Sequence, residues 1–253
     1  MKNLQTNFMY NMRDILISRD LRRKTSIVGF KNCFTEKDLT YVLHHLLPSN
    51  TSLQGCTIQN YTDRSEISDG SKIDYRLKTC SQWFQEKVPQ MHAQISRIIQ
   101  YIQDAHCCTN KSLRVDYHIM KTKSSKHSQP QNVHQDAPES GVKKQCYFTI
   151  IIPLTNDNYG VDPERHTGTW FDQPFYVYNC NNDDKEWITD VACVNIYRGA
   201  ALWSGMVKHR GLANKTGKER VSLMVAVYSG EDPNEPPDHL TKLRQQLRKK
   251  VNF

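Results

Sequence analysis

Gly199-Ala200-Ala201-Leu202-Trp203, then Ser204-Gly205, then His209-Arg210-Gly211, then Arg220-Val221-Ser222 running on to Tyr228, is the stretch that decides the fold. It reads as two apolar β-strands separated by a turn and a polar segment. Short β-rich runs bounded by Gly, Asn, Asp and Pro are the mark of strands and their connections. The same texture extends outward over 113–120, 146–154, 168–171, 175–178 and 191–197. Many short strands with frequent turns predict a barrel or jelly roll, whose layered sheets enclose a pocket. The expected fold class is mainly β with helical support, built as a double-stranded β-helix (jelly roll) barrel.

Upstream of residue 113 the periodicity changes. Ser26-Ile27-Val28-Gly29-Phe30 predicts a short strand. Thr35 opens a helix with Asp38 three residues later, an acidic variant of the capping box. Leu39, Val42, Leu43, Leu46 and Leu47 then share one helical face, and Pro48 stops it. Residues 50–79 mix turns and short strands without a clear period. A long amphipathic helix is expected over 81–105, where Trp83, Val88, Met91, Ile95, Ile98, Ile99 and Ile102 recur at three- and four-residue steps. The expected organisation is a helical support over 1–112, a catalytic β-core over 113–230 and a basic C-terminal helix over 231–253.

Composition narrows the function classes. The 253 residues are 38% hydrophobic, enough for one large domain with a core in 147–154, 191–203 and 221–228. No run reaches the roughly 20 apolar residues of a membrane span. Met1–Tyr10 lacks the apolar centre of a signal peptide. A cytoplasmic protein is expected. The eight cysteines, at 33, 56, 80, 107, 108, 146, 180 and 193, form no CxxC and are expected to be reduced thiols. The four sequons, at Asn50, Asn60, Asn110 and Asn214, are expected to be chance matches. The net charge of +8 gathers toward Lys242–Lys250. Such a run favours nucleic acid or an acidic partner, but it has no interleaved aromatics for stacking, so it is a weak primary function. Gly217-Lys218 is no phosphate loop, because Glu219 stands where Ser or Thr belongs.

The chemistry lies in His134-Gln135-Asp136, His209 and Arg220. Residues two apart on an extended segment point to one face, so His134 and Asp136 can bind one cation together. His209 is the natural third ligand, since it follows an apolar strand and a turn and precedes another strand. His118, His127 and His166 compete, but none has the downstream cation and strand of His209. Two histidines and a carboxylate fill one face of an octahedral metal and leave the opposite face open. Arg220 follows His209 by eleven residues and shares a strand face with Ser222. A guanidinium matches a carboxylate bidentately, and a hydroxyl adds a donor. The pair suits a carboxylate-bearing cosubstrate.

Together these elements resemble the Fe(II)/2-oxoglutarate-dependent oxygenase superfamily over roughly 113–228. His134-Gln135-Asp136-Ala137-Pro138 resembles the first metal motif, and Tyr147–Thr155 the strand that follows it. Gly168-Thr169-Trp170-Phe171 resembles the next turn and strand, and Gly199–Trp203 through Ser222 the distal half. His134-Gln135-Asp136 and His209–Asn214 look like the phytanoyl-CoA hydroxylase-like branch. Leu113–Tyr117 is similar to the prolyl hydroxylase-like branch, although the turn glycine expected after it is absent. AlkB-type enzymes usually carry a second arginine after the first, and none follows Arg220 before Arg244.

The resemblance implies Fe(II) held by His134, Asp136 and His209. It implies 2-oxoglutarate bound with help from Arg220, Ser222, Tyr117 and Tyr147, and O₂ as the second cosubstrate. Thr149 and Trp203 join the two tyrosines as candidate pocket liners. The implied reaction is a hydroxylation that releases succinate and CO₂, on a substrate the sequence does not name. The polar loop 121–133 is expected to be a mobile entrance lid. The alternative is a cupin-like, metal-binding jelly roll without oxygenase activity; Arg220 is the feature that separates the two.

Overall fold

The computed structural model describes residues 27–46, 57–61, 72–78, 81–105, 113–126, 128–136, 147–156, 168–182, 184–188, 196 and 198–229. Its strands are β1 (Ile27–Lys31), β2 (Thr57–Tyr61), β3 (Lys72–Lys78), β4 (Leu113–Thr122), β5 (Tyr147–Pro153) and β6 (Thr169–Phe171). They continue as β7 (Phe175–Asn179), β8 (Lys185–Ile188), β9 (Ala200–Ser204), β10 (His209–Gly211) and β11 (Arg220–Ser229). The helices are α1 (Glu36–Leu46), α2 (Ser81–Lys87) and α3 (Pro89–Ala105). A nine-stranded sheet runs β2-β3-β4-β11-β5-β9-β1-β7-β8, and β10 pairs with β6 in a small second sheet. This is a mainly β double-stranded β-helix with helical support.

The period of two along each strand divides the large sheet into two faces. On β11, Val221, Leu223, Val225 and Val227 are buried in one core, and Tyr117 and Ile119 of β4 join them. The apolar stripes of the helices fill the other side of that core: Leu39, Val42 and Leu46 from α1, Phe84 from α2, and Met91, Ile95 and Ile98 from α3. The opposite face carries Ser222 and Met224 beside Met120, with Ser222 aligned to Met120 in the antiparallel register. A second core of Ile151, Phe171, Phe175, Val177, Ala201, Trp203 and Val207 also gathers residues of both sheets. Gly199, just before β9, lies so close to β1 that a Cβ there would overlap the Phe30 carbonyl oxygen.

Local expectations hold where the signal is local. Thr35 caps α1, its Oγ1 accepting from the Asp38 amide at 3.1 Å. The helix expected over 81–105 is divided in two, because Pro89 lacks an amide hydrogen and opens a new helix at its first position. The region before 113 supplies more than helical support. β1, β2 and β3 all belong to the large sheet, and β1 is an interior strand between β9 and β7. β8 and β10 are strands the alternation did not announce. The strand expected at 191–197 and the helix expected at 231–253 lie outside the described residues, apart from Ile196.

Cysteine chemistry departs from expectation at one pair. Cys33 and Cys180 are joined as a disulfide with Cα atoms 5.4 Å apart, across a sequence separation of 147. β1 and β7 are parallel neighbours, with Lys31 aligned to Asn179, so the two cysteines leave the ends of adjacent strands. Spacing along the chain cannot show such a pairing. Asn214 is fully buried, with its side-chain amide donating to the carbonyls of Thr122 and Lys218.

Candidate metal centre

Three candidate ligands converge in the lining of one pocket. His209 begins β10, aligned with Phe171 of β6. His134 forms an isolated antiparallel bridge to it: the His134 amide donates to the His209 carbonyl at 2.9 Å, and the His209 amide returns the bond at 3.0 Å. Asp136 lies two residues beyond the bridge. Ligand atoms from all three lie within 4.8 Å of one another. Asp136 Oδ1 is 3.5 Å from His209 Nε2 and 3.9 Å from His134 Nε2.

Hydrogen bonds aim these groups inward. His134 Nδ1 is 2.8 Å from the Asn132 carbonyl, and His209 Nδ1 is 3.0 Å from the Val207 carbonyl. A ring nitrogen facing a carbonyl must donate, so Nε2 is the nitrogen each imidazole has left for a metal or a proton, on the side where Asp136 lies. That is the arrangement that orients a metal-binding histidine. Burial pushes the Asp136 carboxyl up. The hydrogen bond and charge of His209, the Thr149 hydroxyl and the charge of His134 outweigh burial and hold it below its ordinary value. Burial likewise pushes the His209 imidazole down. The hydrogen bond and charge of Asp136, the Val207 carbonyl and the charge of Asp172 outweigh it and hold His209 above its ordinary value. A carboxylate kept ionised between two converging nitrogens fits a divalent cation.

The pocket continues from the ligands to Arg220 and Ser222, which line its wall with Met120, Thr122, Ile151, Pro153 and Met224. Its volume is about 160 Å³. The Arg220 guanidinium donates to the Leu212 carbonyl at 3.1 Å, and to the Gly168 carbonyl and Thr122 Oγ1 at 3.5 Å each. These acceptors fix the direction of the fork.

The other residues singled out in the sequence fall elsewhere. Tyr117 does not reach the pocket. Its odd position on β4 puts it on the helix-facing side, where its ring stacks on Phe84 at 4.9 Å. Tyr147 starts β5 opposite Tyr228, and its side chain lies outside the described residues. His166 lies outside them too. Thr149 and Trp203 do reach the centre, as donors to Asp136. Met120, Thr122, Gln129, Gln131, Leu212 and Met224 also line the pocket and were not singled out. The first two were legible in principle, since they share the strand parity that Arg220 and Ser222 meet across the β4–β11 register.

Hydrogen bonds tie described residues of the loop 121–133, expected to be mobile, to residues 211–217. The Gln131 amide donates to the Gly211 carbonyl at 2.9 Å, and the Gly211 amide donates to Gln131 Oε1 at 2.8 Å. Ser128 Oγ accepts from the Asn214 amide at 3.0 Å, and Ser124 Oγ from the Gly217 amide at 2.7 Å. Gly217 has φ of 84°, a left-handed conformation that glycine adopts without strain.

Solved structures share this architecture. A Pseudomonas putida prolyl-4-hydroxylase aligns with a TM-score of 0.53 at 10% identity, covering 87% of this chain and 100% of its own. The epimerase SnoN, in complex with Fe3+, alpha ketoglutarate and nogalamycin RO, aligns at 0.53 and 14%, covering 90% and 93%. The chain has the fold of the Fe(II)/2-oxoglutarate-dependent oxygenases. A Trichoplax adhaerens prolyl hydroxylase, in complex with a peptide fragment of the hypoxia inducible factor oxygen degradation domain, aligns at 0.51 and 13%, covering 90% and 93%. No protein-family model and no curated protein matches the sequence. Among the described residues, no helix is long and apolar enough to cross a membrane.

Proposed function

We propose that the chain is an Fe(II)- and 2-oxoglutarate-dependent dioxygenase that hydroxylates an organic substrate. The observation that carries this reading is the convergence of His134, Asp136 and His209 at one end of a pocket whose wall presents Arg220 and Ser222. His134 and His209 supply Nε2 donors and Asp136 supplies Oδ1. Arg220 and Ser222 hold the far carboxylate of 2-oxoglutarate, the guanidinium by a charge-assisted fork and the hydroxyl by one further donor. Bound there, Fe(II) supplies O₂ activation, coupling decarboxylation of 2-oxoglutarate to succinate and CO₂ with oxidation of a substrate C–H bond. The protein orients both partners and limits access of water. Ile151, Trp203, Met120 and Met224 give the pocket its apolar lining. A cytoplasmic location belongs to the same proposal.

The SnoN complex, with Fe3+ and alpha ketoglutarate in a protein of this fold, supports the cofactor assignment. The cupin-like alternative would use the same three ligands but gives Arg220 and Ser222 no task. The test is O₂-dependent formation of succinate from 2-oxoglutarate by the Fe(II)-loaded protein, across a panel of candidate substrates. Succinate is expected from the wild type in air, and not under argon or from Asp136→Ala. A protein that binds metal yet never exceeds the Asp136→Ala background contradicts the enzymatic reading.

A further inference from the structure

The Asp136 carboxylate has two oxygens with different surroundings. Oδ1 faces the two imidazoles. Oδ2 accepts from Thr149 Oγ1 at 2.6 Å and from Trp203 Nε1 at 3.1 Å. Two strong donors on one oxygen take up the lone pairs it would need to chelate a cation.

Both donors come from rigid framework. Thr149 of β5 and Trp203 of β9 are direct cross-strand partners in the large sheet, at 0% and 2% exposure. The Trp203 ring is held between Phe171, at 5.2 Å, and His209, at 5.0 Å. Asp136 itself lies on a bend beyond the His134 bridge, outside any strand. Its direction is set from the sheet.

We propose that Thr149 and Trp203 are positioning residues that lock Asp136 as a one-oxygen ligand. They occupy Oδ2 and leave Oδ1 alone to complete the face formed by His134 and His209. A carboxylate free to swing would hold Oδ1 on that face only part of the time, and a metal there would be bound more weakly. The inference rests on the metal-centre part of the proposed function and adds two residues to it. The competing reading is that a buried hydroxyl and a buried indole N–H merely use Asp136 as a convenient acceptor. On that reading their loss lowers stability and leaves metal affinity alone.

The test measures Mn(II) affinity of the full chain by electron paramagnetic resonance. The proteins are the wild type, Thr149→Val, Thr149→Ser and Trp203→Phe, each with a metal-free melting curve. Removing an outer partner of a metal ligand typically weakens binding ~10–100-fold. That loss is expected for Thr149→Val and for Trp203→Phe in protein that is still folded. Thr149→Ser, which keeps the hydroxyl, should bind as the wild type does. Should Thr149→Val fail to fold, Trp203→Phe decides the matter: it keeps an aromatic ring in place but removes the N–H with part of the indole, so its affinity is read only in protein whose melting curve shows it folded. Wild-type binding with both variants within twofold of it overturns this inference and leaves the oxygenase reading standing. A wild type that binds neither Mn(II) nor Fe(II) removes both.

Discussion

The two faces of β4 and β11 are made by the same strands and do different work. On the helix side, Tyr117, Ile119, Val221, Leu223 and Val225 are closely packed and apolar. On the pocket side, Met120, Thr122, Arg220, Ser222 and Met224 alternate with them residue by residue. One face earns the stability that lets the other keep a guanidinium and hydroxyls turned toward a cavity. A shift of one residue in register would exchange the two sets, so folding and chemistry are specified together.

The sharpest break in that comparison is at the ligands. His209→Ala should abolish Fe(II) binding while the far-ultraviolet circular dichroism stays that of the wild type, because the β10–β6 pairing is made by backbone groups; retained Fe(II) affinity would remove it from the ligand set. Leu223→Ala is the mirror experiment. Truncating a fully buried leucine should cost about 2–5 kcal/mol in denaturant unfolding, with metal affinity of the folded fraction unchanged. Arg220→Ala should raise the 2-oxoglutarate dissociation constant by an amount equivalent to roughly 2–4 kcal/mol, with metal affinity kept. Calorimetry on the Mn(II)-loaded protein separates the two. Ser222→Ala should show the same pattern at about 0.5–1.5 kcal/mol, the value of one neutral hydrogen bond.

A pH titration probes the same ligand, His209, without a mutation. A proton and a metal compete for Nε2 of His209, and Asp136 holds that imidazole above its ordinary value. Mn(II) affinity should therefore fall as pH drops below the raised value and level off above it. An affinity that is flat between about pH 5 and 8 would show that His209 is not titrating against the metal.

The convergence of His134, Asp136 and His209 near Arg220 was legible because their spacing suits extended segments and the turns between strands. Arg220 and Ser222 needed only the rule of two. The resemblance misplaced Tyr117, and the rule of two could not correct it, since alternation gives two sets of side chains but not which set faces the cavity. The Ile119 and Val221 neighbourhood settles that through the helices, and the helices pack from a distant part of the chain. β1 as an interior strand, the Cys33–Cys180 bridge and the Thr149–Trp203 pair on Asp136 are all contacts across long separations. Composition and local period carry no record of such contacts. The loop 121–133 looked loose because it is polar, yet its serines and glutamine make hydrogen bonds to residues 211–217.

The most direct test of the account is visible spectroscopy of the anaerobic protein with Fe(II) and 2-oxoglutarate. Chelation of the keto acid at Fe(II) gives a weak metal-to-ligand charge-transfer band. The account predicts that band in the wild type, its loss in His209→Ala, and its appearance in Arg220→Ala only at much higher 2-oxoglutarate. A wild type that binds Fe(II) but never develops the band would contradict the oxygenase reading and leave a metal-binding jelly roll.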